Sequence, residues 1–429
     1  MQYIILGSSA AGINAVEAIR TKDKTSKIIV ISDEARPLYS RCLISYLLAG
    51  TISKEKIWYR KDSFFKDNSV ESVLGVKAEK IDPKKKEVVL NSKKKIKFDK
   101  LLIASGSSPK MEDIPGIDKE RVFPLRTLSH TENIQKLLPK VKNVAILGGG
   151  LIGLRAAYAL NAQGKKVTVF VRSPQVLSQI IDEISAKIMR SHIEKKGIIV
   201  KTGISAKEVL GDKSVKGLLL SDRSKYDCEL IIVGKGVNSN IGLAKDIGIK
   251  TNWGILVDKY QATSNKDIFA AGDVAESFDI ALGESSINAI WPAACEQGRI
   301  AGLNMAGVKT AYDGSLAMNS IEFFGLPVIS IGITKPKKDI HEEIYKLDEE
   351  NSIYKKIILK DNVIVGCVFL NKVDNIGVVG ALIKNKVDVS SIKDIILEDY
   401  FDYGKIVKLI KASKTGFKDA EFKETIMTL

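Results

Sequence analysis

Residues 3–12 read YIILGSSAAG and residues 144–153 read VAILGGGLIG. Each is a short apolar strand that runs into small residues and then into a helix-forming stretch, and the fold class follows from that repetition. Glycines in such a turn let the chain reverse tightly and bring its backbone close to an anion. The helix start that follows presents free N–H groups and the positive end of its dipole to a pyrophosphate. Each copy therefore predicts one dinucleotide site. A single copy is a weak signal, whereas two copies in the strand, turn, helix context are a strong one. Gly7 and Gly148 lie too far apart for a solenoid repeat, which leaves two nucleotide-binding domains of similar design.

The copies differ in detail. The first keeps Gly7 and Gly12 but has Ser9 in the middle, a small residue able to donate to phosphate. Its next strand, residues 28–31, runs into Ser32, Asp33 and Glu34. Either acid would accept hydrogen bonds from a ribose diol; an exposed turn acid is the alternative. The second copy keeps Gly148, Gly150 and Gly153, but the strand at 167–171 is followed by Arg172 and no acid. An arginine there meets a 2′-phosphate, so the reading points to NADPH over NADH, against a merely solvated arginine.

At 429 residues the chain has room for roughly three domains of about 150 residues each. Its 45% hydrophobic and 27% charged residues fit a folded globular protein. No uncharged apolar stretch approaches the roughly 18 residues of a membrane span. The start, MQYIILGSSAAG, has neither a basic segment nor a cleavage site, so a cytoplasmic location is expected. The net charge of +15 favours anionic partners. Yet the basic runs at 84–86, 93–95 and 337–338 have no interleaved aromatics, so nucleic-acid binding is set aside. They read as solvated hairpin tips, or as a rim that steers an acidic redox protein. Cys42, Cys228, Cys295 and Cys367 are too scattered for a CxxC pair, a zinc site or an iron–sulfur cluster. His130, His192 and His341 form no metal-ligand motif, so no protein-bound metal is expected. The chemistry must come from something the chain binds.

Between the copies, residues 80–100 alternate apolar and charged side chains as a two-hairpin excursion does, with turns near Pro83 and Asn91. An apolar strand at 101–104 follows. After the second copy, the strand at 230–233 leads into GKGVNSN, and TSNKDIFAAGDVAE comes next. From about residue 312 the composition changes to mixed strand-like and helical runs. The expected architecture is α/β: two Rossmann-like dinucleotide-binding domains plus a smaller α+β C-terminal domain.

With YSR at 39–41, FDKLLIASGSSP at 98–109, GKGVNSN at 234–240 and DIFAAGDVAE at 267–276 added to the two glycine turns, the chain resembles the FAD-dependent pyridine nucleotide-disulfide oxidoreductase superfamily over residues 1 to about 308. The resemblance implies that residues 1–110 and 239–311 are two parts of an FAD-binding domain. Residues 111–238 would bind NAD(P)H, and 312–429 would form a C-terminal interface domain. It implies that Gly7, Ser9, Ala10, Ala11 and Gly12 hold the FAD pyrophosphate, with Glu34 or Asp33 on the ribose. Arg41, Ala78, Ala104, Ser105, Gly106 and Gly272 would be further cofactor contacts. Asp273 would bond the ribityl chain and cap a helix beginning beneath the flavin, with Trp291 near the isoalloxazine. Gly148, Gly150, Leu151, Ile152, Gly153, Arg172 and Gly236 would serve the nicotinamide cofactor.

IWPAACEQGRIAGLNMAG at 290–307, with YSR and LLAG, resembles the branch that reduces rubredoxin, ferredoxin or nitrite. The implied function is hydride transfer between nicotinamide and flavin, and electron transfer to a redox protein, an acidic carrier or an iron–sulfur subunit. Cys42 stands where coenzyme A disulfide reductases, NADH oxidases and NADH peroxidases carry a single redox cysteine, which keeps that alternative open. Arg41 beside it would lower the thiol pKa. Cys228, Cys295 and Cys367 read as small buried apolar residues. A CxxxxC or CxxC pair is lacking, so a dithiol mechanism is excluded. Arg155 replaces a glutamate common in relatives, and Leu151 replaces a gating aromatic. A binding subunit that carries FAD without turnover is a third reading. Monomer and homodimer both stay open. Beyond Lys405, Ile406, Leu409 and Ile410 predict one amphipathic helix.

Overall fold

The computed structural model describes residues 1–36, 38–402, 404 and 406, so the helix expected through Leu409 and Ile410 lies outside the described residues. The chain forms two compact units. The first comprises Met1–Val176, Gly197–Asp279 and Glu284–Ser315; the second comprises Leu177–Lys196, Ile280–Gly283 and the chain from Leu316 on.

The first unit contains two five-stranded parallel sheets. One runs in the order Ile268–Ala270, Lys100–Ile103, Gln2–Leu6, Lys27–Ser32, Val70–Leu74. Its central strands are apolar through their interiors, with polar residues only at their ends, because both faces are covered. Tyr3, Ile5, Ile28, Val30 and Leu102 pack on one face with Ile13 and Val16 of the helix Ala10–Lys22. Ile4, Leu6, Ile29, Ile31, Leu101 and Ile103 pack on the other with Ile81, Val88, Leu90 and Ile96. Those last four belong to the meander Ala78–Asp82, Glu87–Leu90, Lys95–Lys97, which is the two-hairpin excursion expected. The lysines at 84–86 and 93–95 are exposed at or beside its turns. Burying one such isoleucine contributes about 1.5–3 kcal/mol.

The second sheet runs Ile199–Thr202, Lys166–Val171, Asn143–Leu147, Leu230–Val233, Val122–Pro124, again all parallel. The α/β reading with two Rossmann-like halves therefore holds. One local expectation does not. No helix begins at Asp273; the chain turns there and enters the strand Ala275–Asp279, which pairs with Glu284–Ser286. Residues 275–279 are almost wholly buried, and pairing satisfies their backbone groups where a helix start would not. The next helix is Trp291–Met305.

The second unit is built on an antiparallel sheet in the order Met318–Phe323, Leu326–Gly332, Val363–Leu370, Ile353–Lys360, Glu342–Asp348. Ile357, Cys367 and Phe369 pack with Val379 and Leu382 of the helix Ile376–Lys384, the α+β domain the sequence implies. Two consecutive lysine side chains in this sheet are only 5% exposed. Lys355 is held by Asp399 at 2.9 Å and Lys356 by Asp182 at 3.1 Å. Among the described residues, no helix is long and apolar enough to cross a membrane.

Candidate functional site

The first cradle is closed by steric necessity. Gly7 leaves the strand Gln2–Leu6 at φ +117°, and a Cβ there would lie 2.1 Å from the Ala104 carbonyl oxygen. A Cβ on Gly12 would lie 1.9 Å from the Gly7 oxygen. Ser9 caps the helix Ala10–Lys22 in extended backbone, its hydroxyl makes no capping bond, and the first turn holds no acid. The start of this helix thus offers N–H groups and a dipole end with no competing carboxylate. The helix Trp291–Met305 crosses it in backbone contact, since a Cβ on Gly298 would meet the Ala11 oxygen at 2.1 Å. Trp291 packs against the core cluster that includes Ala10 and Ala11, with its ring centroid 5.1 Å from that of Tyr59 in an edge arrangement.

Three of the expected cofactor residues meet through one that the sequence reading missed. The Glu34 carboxylate accepts from the Tyr39 hydroxyl at 2.6 Å and from the Arg41 guanidinium. Arg41 donates at 3.0 Å to the backbone oxygen of Arg126. Arg126 in turn donates at 2.9 Å to Asp273, which also accepts from Ser107 at 2.8 Å. Two ion pairs, Glu34 with Arg41 and Arg126 with Asp273, are thus linked through the Arg126 backbone carbonyl, which joins the strand-end acid to the AAGD acid. Nothing in the spacing flags Arg126; only the fold brings it there. Asp33 points to solvent. Ser105 and Gly106 are pinned by Asn240, whose backbone N–H donates to the Gly106 oxygen at 3.0 Å and whose side chain donates to the Ser105 oxygen at 2.8 Å. Gly272 turns at φ +82° and donates to Gln297 at 2.8 Å. Ala78 stands in the meander opposite Leu90.

The second cradle repeats the construction. A Cβ on Gly148 would lie 2.4 Å from the Gly234 oxygen, and one on Gly153 would lie 1.9 Å from the Gly148 oxygen. Gly150, the cap of Leu151–Ala162, is different: the nearest atom to a Cβ there is 4.0 Å away. Its lack of a side chain leaves the helix start open. Leu151 is half-buried and Ile152 is 41% exposed beside this opening. Gly236 turns at φ +92° with open space around it. Arg172 follows the strand Lys166–Val171, is exposed, and has no hydrogen-bond or ion partner among the described residues.

Cys42 lies in the single turn Arg41–Leu43 with its side chain exposed. Enough protein surrounds it that desolvation pushes its thiol above the ordinary cysteine range, outweighing the Ser40 hydrogen bond and the Arg155 charge. The cation that acts on Cys42 is Arg155 and not Arg41, as expected from adjacency, because Arg41 is committed to Glu34. Arg155 donates to the Tyr46 hydroxyl at 2.7 Å and sits 4.8 Å over its ring. With Gln163 donating to the Ala49 oxygen at 2.7 Å, it fastens the helix Ile44–Ala49 to the helix of the second cradle. Cys228 and Cys367 are buried as expected, and burial pushes both thiols up to about 12. Cys295 corrects the expectation: it is only partly buried, packed against the core cluster, and hydrogen-bonds Asn14.

Residues 1–298 match the family described as pyridine nucleotide-disulphide oxidoreductase, and residues 318–387 match the rubredoxin NAD+ reductase C-terminal domain. The chain is similar to an NADH oxidase of Methanocaldococcus jannaschii, 31% identical over 390 residues that cover 86% of this chain and 87% of the relative. It is 30% identical over 369 residues to the NAD(P)H nitrite reductase of Bacillus subtilis, covering 86% of this chain and 45% of that one. The chain thus spans about half the length of the latter relative. Among solved structures, NADH:rubredoxin oxidoreductase from Clostridium acetobutylicum superposes with a TM-score of 0.76 at 26% identity, covering 91% of this chain and 97% of that one.

Proposed function

Since the chain belongs to the pyridine nucleotide-disulphide oxidoreductase family, we propose that it is an FAD-dependent NAD(P)H oxidoreductase that exchanges electrons with a carrier protein: a rubredoxin, a ferredoxin or an iron–sulfur partner subunit. The observation that carries this reading is the presence, in one compact unit, of two glycine-closed helix starts, Ala10–Lys22 and Leu151–Ala162. The residues of the first cradle fit FAD. A side chain at Gly7 would strike the Ala104 carbonyl and one at Gly12 the turn itself, and the free Ser9 hydroxyl and helix N–H groups suit a pyrophosphate. When bound, FAD supplies hydride acceptance and the release of electrons one at a time.

The chain's own tasks are positional. The two helix starts neutralise the two pyrophosphates, and Arg41 and Arg126 hold the Glu34 and Asp273 carboxylates in fixed places for hydroxyl donors. The match at 318–387 and the +15 charge support an acidic carrier as partner. Anaerobic mixing with NADPH and with NADH, read by flavin bleaching and then by reoxidation with each carrier, tests the proposal. Protein that stays colourless after incubation with FAD would overturn it. Protein that holds FAD without bleaching would be a binding subunit.

The uncommitted Arg172 at an acid-free strand end supports NADPH as the preferred donor. Arg172→Ala is expected to raise KM for NADPH about tenfold while leaving KM for NADH within about twofold, the loss expected of one charge-assisted phosphate contact. An equal rise for both cofactors would assign Arg172 no role at the 2′-position.

The exposure of Cys42 and the similarity to an NADH oxidase favour one further reading, reduction of a disulfide, a peroxide or oxygen through that thiol. The upward push on the thiol weighs against it. Cys42→Ser is expected to keep NAD(P)H-driven reduction of a protein carrier within about twofold. Loss of disulfide or peroxide turnover in a variant that never reduced a carrier would install the thiol reading instead.

A further inference from the structure

Tyr59 is a residue that no sequence motif singled out. Its side chain packs in the same cluster as Ala10, Ala11, Ala104, Trp291 and Cys295, which gathers the start of the cradle helix, the ASG turn and the aromatic expected beside the flavin. Its ring meets Trp291 edge-on at 5.1 Å, and the Arg60 guanidinium lies 5.1 Å from its centroid. Its hydroxyl oxygen is shielded from solvent and has no hydrogen-bond partner. A buried hydroxyl left unpaired is a standing cost, and native chains retain such groups where a ligand or water completes them. Of the other buried tyrosine hydroxyls of the same unit, that of Tyr312 is also unpartnered, but it belongs to no part of this cluster, and three are satisfied. Tyr39 donates to Glu34, Tyr3 to Asp23 and Tyr226 to Thr168.

We propose that the Tyr59 hydroxyl completes the first cradle as a hydrogen-bonding contact to FAD, held in place by the edge of Trp291. The inference rests on the FAD reading above and adds a contact to it. The contact does not depend on proton transfer, since burial pushes the Tyr59 hydroxyl well above its ordinary range and it stays protonated.

The test is Tyr59→Phe, which keeps the ring and its packing. The FAD dissociation constant is expected to rise about three- to tenfold, the worth of one neutral hydrogen bond. The flavin-free protein is expected to melt at the wild-type temperature or above it, because the substitution removes an unpaired polar atom. Tyr226→Phe serves as the contrast, since it breaks a formed bond to Thr168: its flavin-free protein should melt lower and its FAD affinity should be unchanged. If Tyr59→Phe binds FAD as tightly as wild type, or if its flavin-free form melts lower with affinity intact, the hydroxyl is structural and the proposal fails. Wild-type protein that binds no FAD overturns the functional reading itself, which separates the two failures.

Discussion

Gly12→Ala is expected to yield a protein that does not retain FAD, with affinity lowered at least about 100-fold. The added methyl would sit 1.9 Å from the Gly7 carbonyl oxygen. That neighbour is backbone, fixed by the parallel pairing of Gln2–Leu6 with strands on both sides. Relief can come only from pulling the helix Ala10–Lys22 off the turn. Overpacking of this kind costs about 1–3 kcal/mol, and more where backbone is the obstacle. The displaced helix start also loses its aim at the pyrophosphate, and about 2.7 kcal/mol of lost binding is a hundredfold in Kd. The measurement is flavin stoichiometry in purified protein and its recovery on added FAD. The second cradle supplies an internal control. Gly153→Ala repeats the clash at 1.9 Å and should abolish reduction by NAD(P)H while FAD stays bound. Gly150→Ala meets nothing within 3.9 Å, so the chain should fold normally and lose affinity only for the nicotinamide cofactor. A Gly12→Ala protein with stoichiometric flavin would show that the first turn does not hold the pyrophosphate.

The second large effect concerns stability. Asp182 caps the helix Glu183–Lys195 through the Ser185 N–H at 3.0 Å, accepts from the Tyr354 hydroxyl at 2.6 Å, and pairs with buried Lys356 at 3.1 Å. All of these residues belong to the second compact unit. Desolvation pushes the Asp182 carboxyl upward, yet the bonds from Ser185 and Tyr354 and the Lys356 charge together hold it below the ordinary carboxylate range. A carboxyl whose folded pKa is depressed stabilises the fold fully above its unfolded value near 4, and that contribution is lost as pH falls through the folded value. Asp182→Asn keeps the shape and removes the charge. Glu343 still accompanies Lys356, so the cost is expected at about 2–3 kcal/mol near pH 7, below that of an ion left wholly unpaired. As pH falls below the ordinary carboxylate range and through the depressed folded value, the difference should shrink toward zero, because wild-type Asp182 becomes protonated too. Urea unfolding of both proteins at neutral and acid pH measures this. A difference that does not change with pH would mean that the Lys356 pairing adds nothing beyond the cap.

Much of this protein could be read from a line of letters, and the reason is local. A strand that must be buried on both faces has to be apolar through its interior, and a turn whose Cβ would strike its own backbone has to be glycine. YIILGSSAAG and VAILGGGLIG therefore state their structure within ten residues each. The hairpins of residues 78–97 are equally local, with each strand facing its neighbour across a short turn.

The rest depended on chain segments distant in sequence, and local pattern carries no information about them. Arg41 is adjacent to Cys42, yet its charge is spent on Glu34, and Arg155, brought in by another helix, acts on the thiol. AAGD followed by VAE suggests a helix start, but burial and the partner strand Glu284–Ser286 draw those residues into a sheet. Arg126 and Tyr59 belong to no motif, and each acquires its place only when the two ends of the first unit fold onto one another. Backbone sterics and hydrophobic periodicity act within a few residues and are written in order along the chain. Charge pairing and the satisfaction of buried polar groups are settled by whichever partners arrive, and only the assembled tertiary structure decides those.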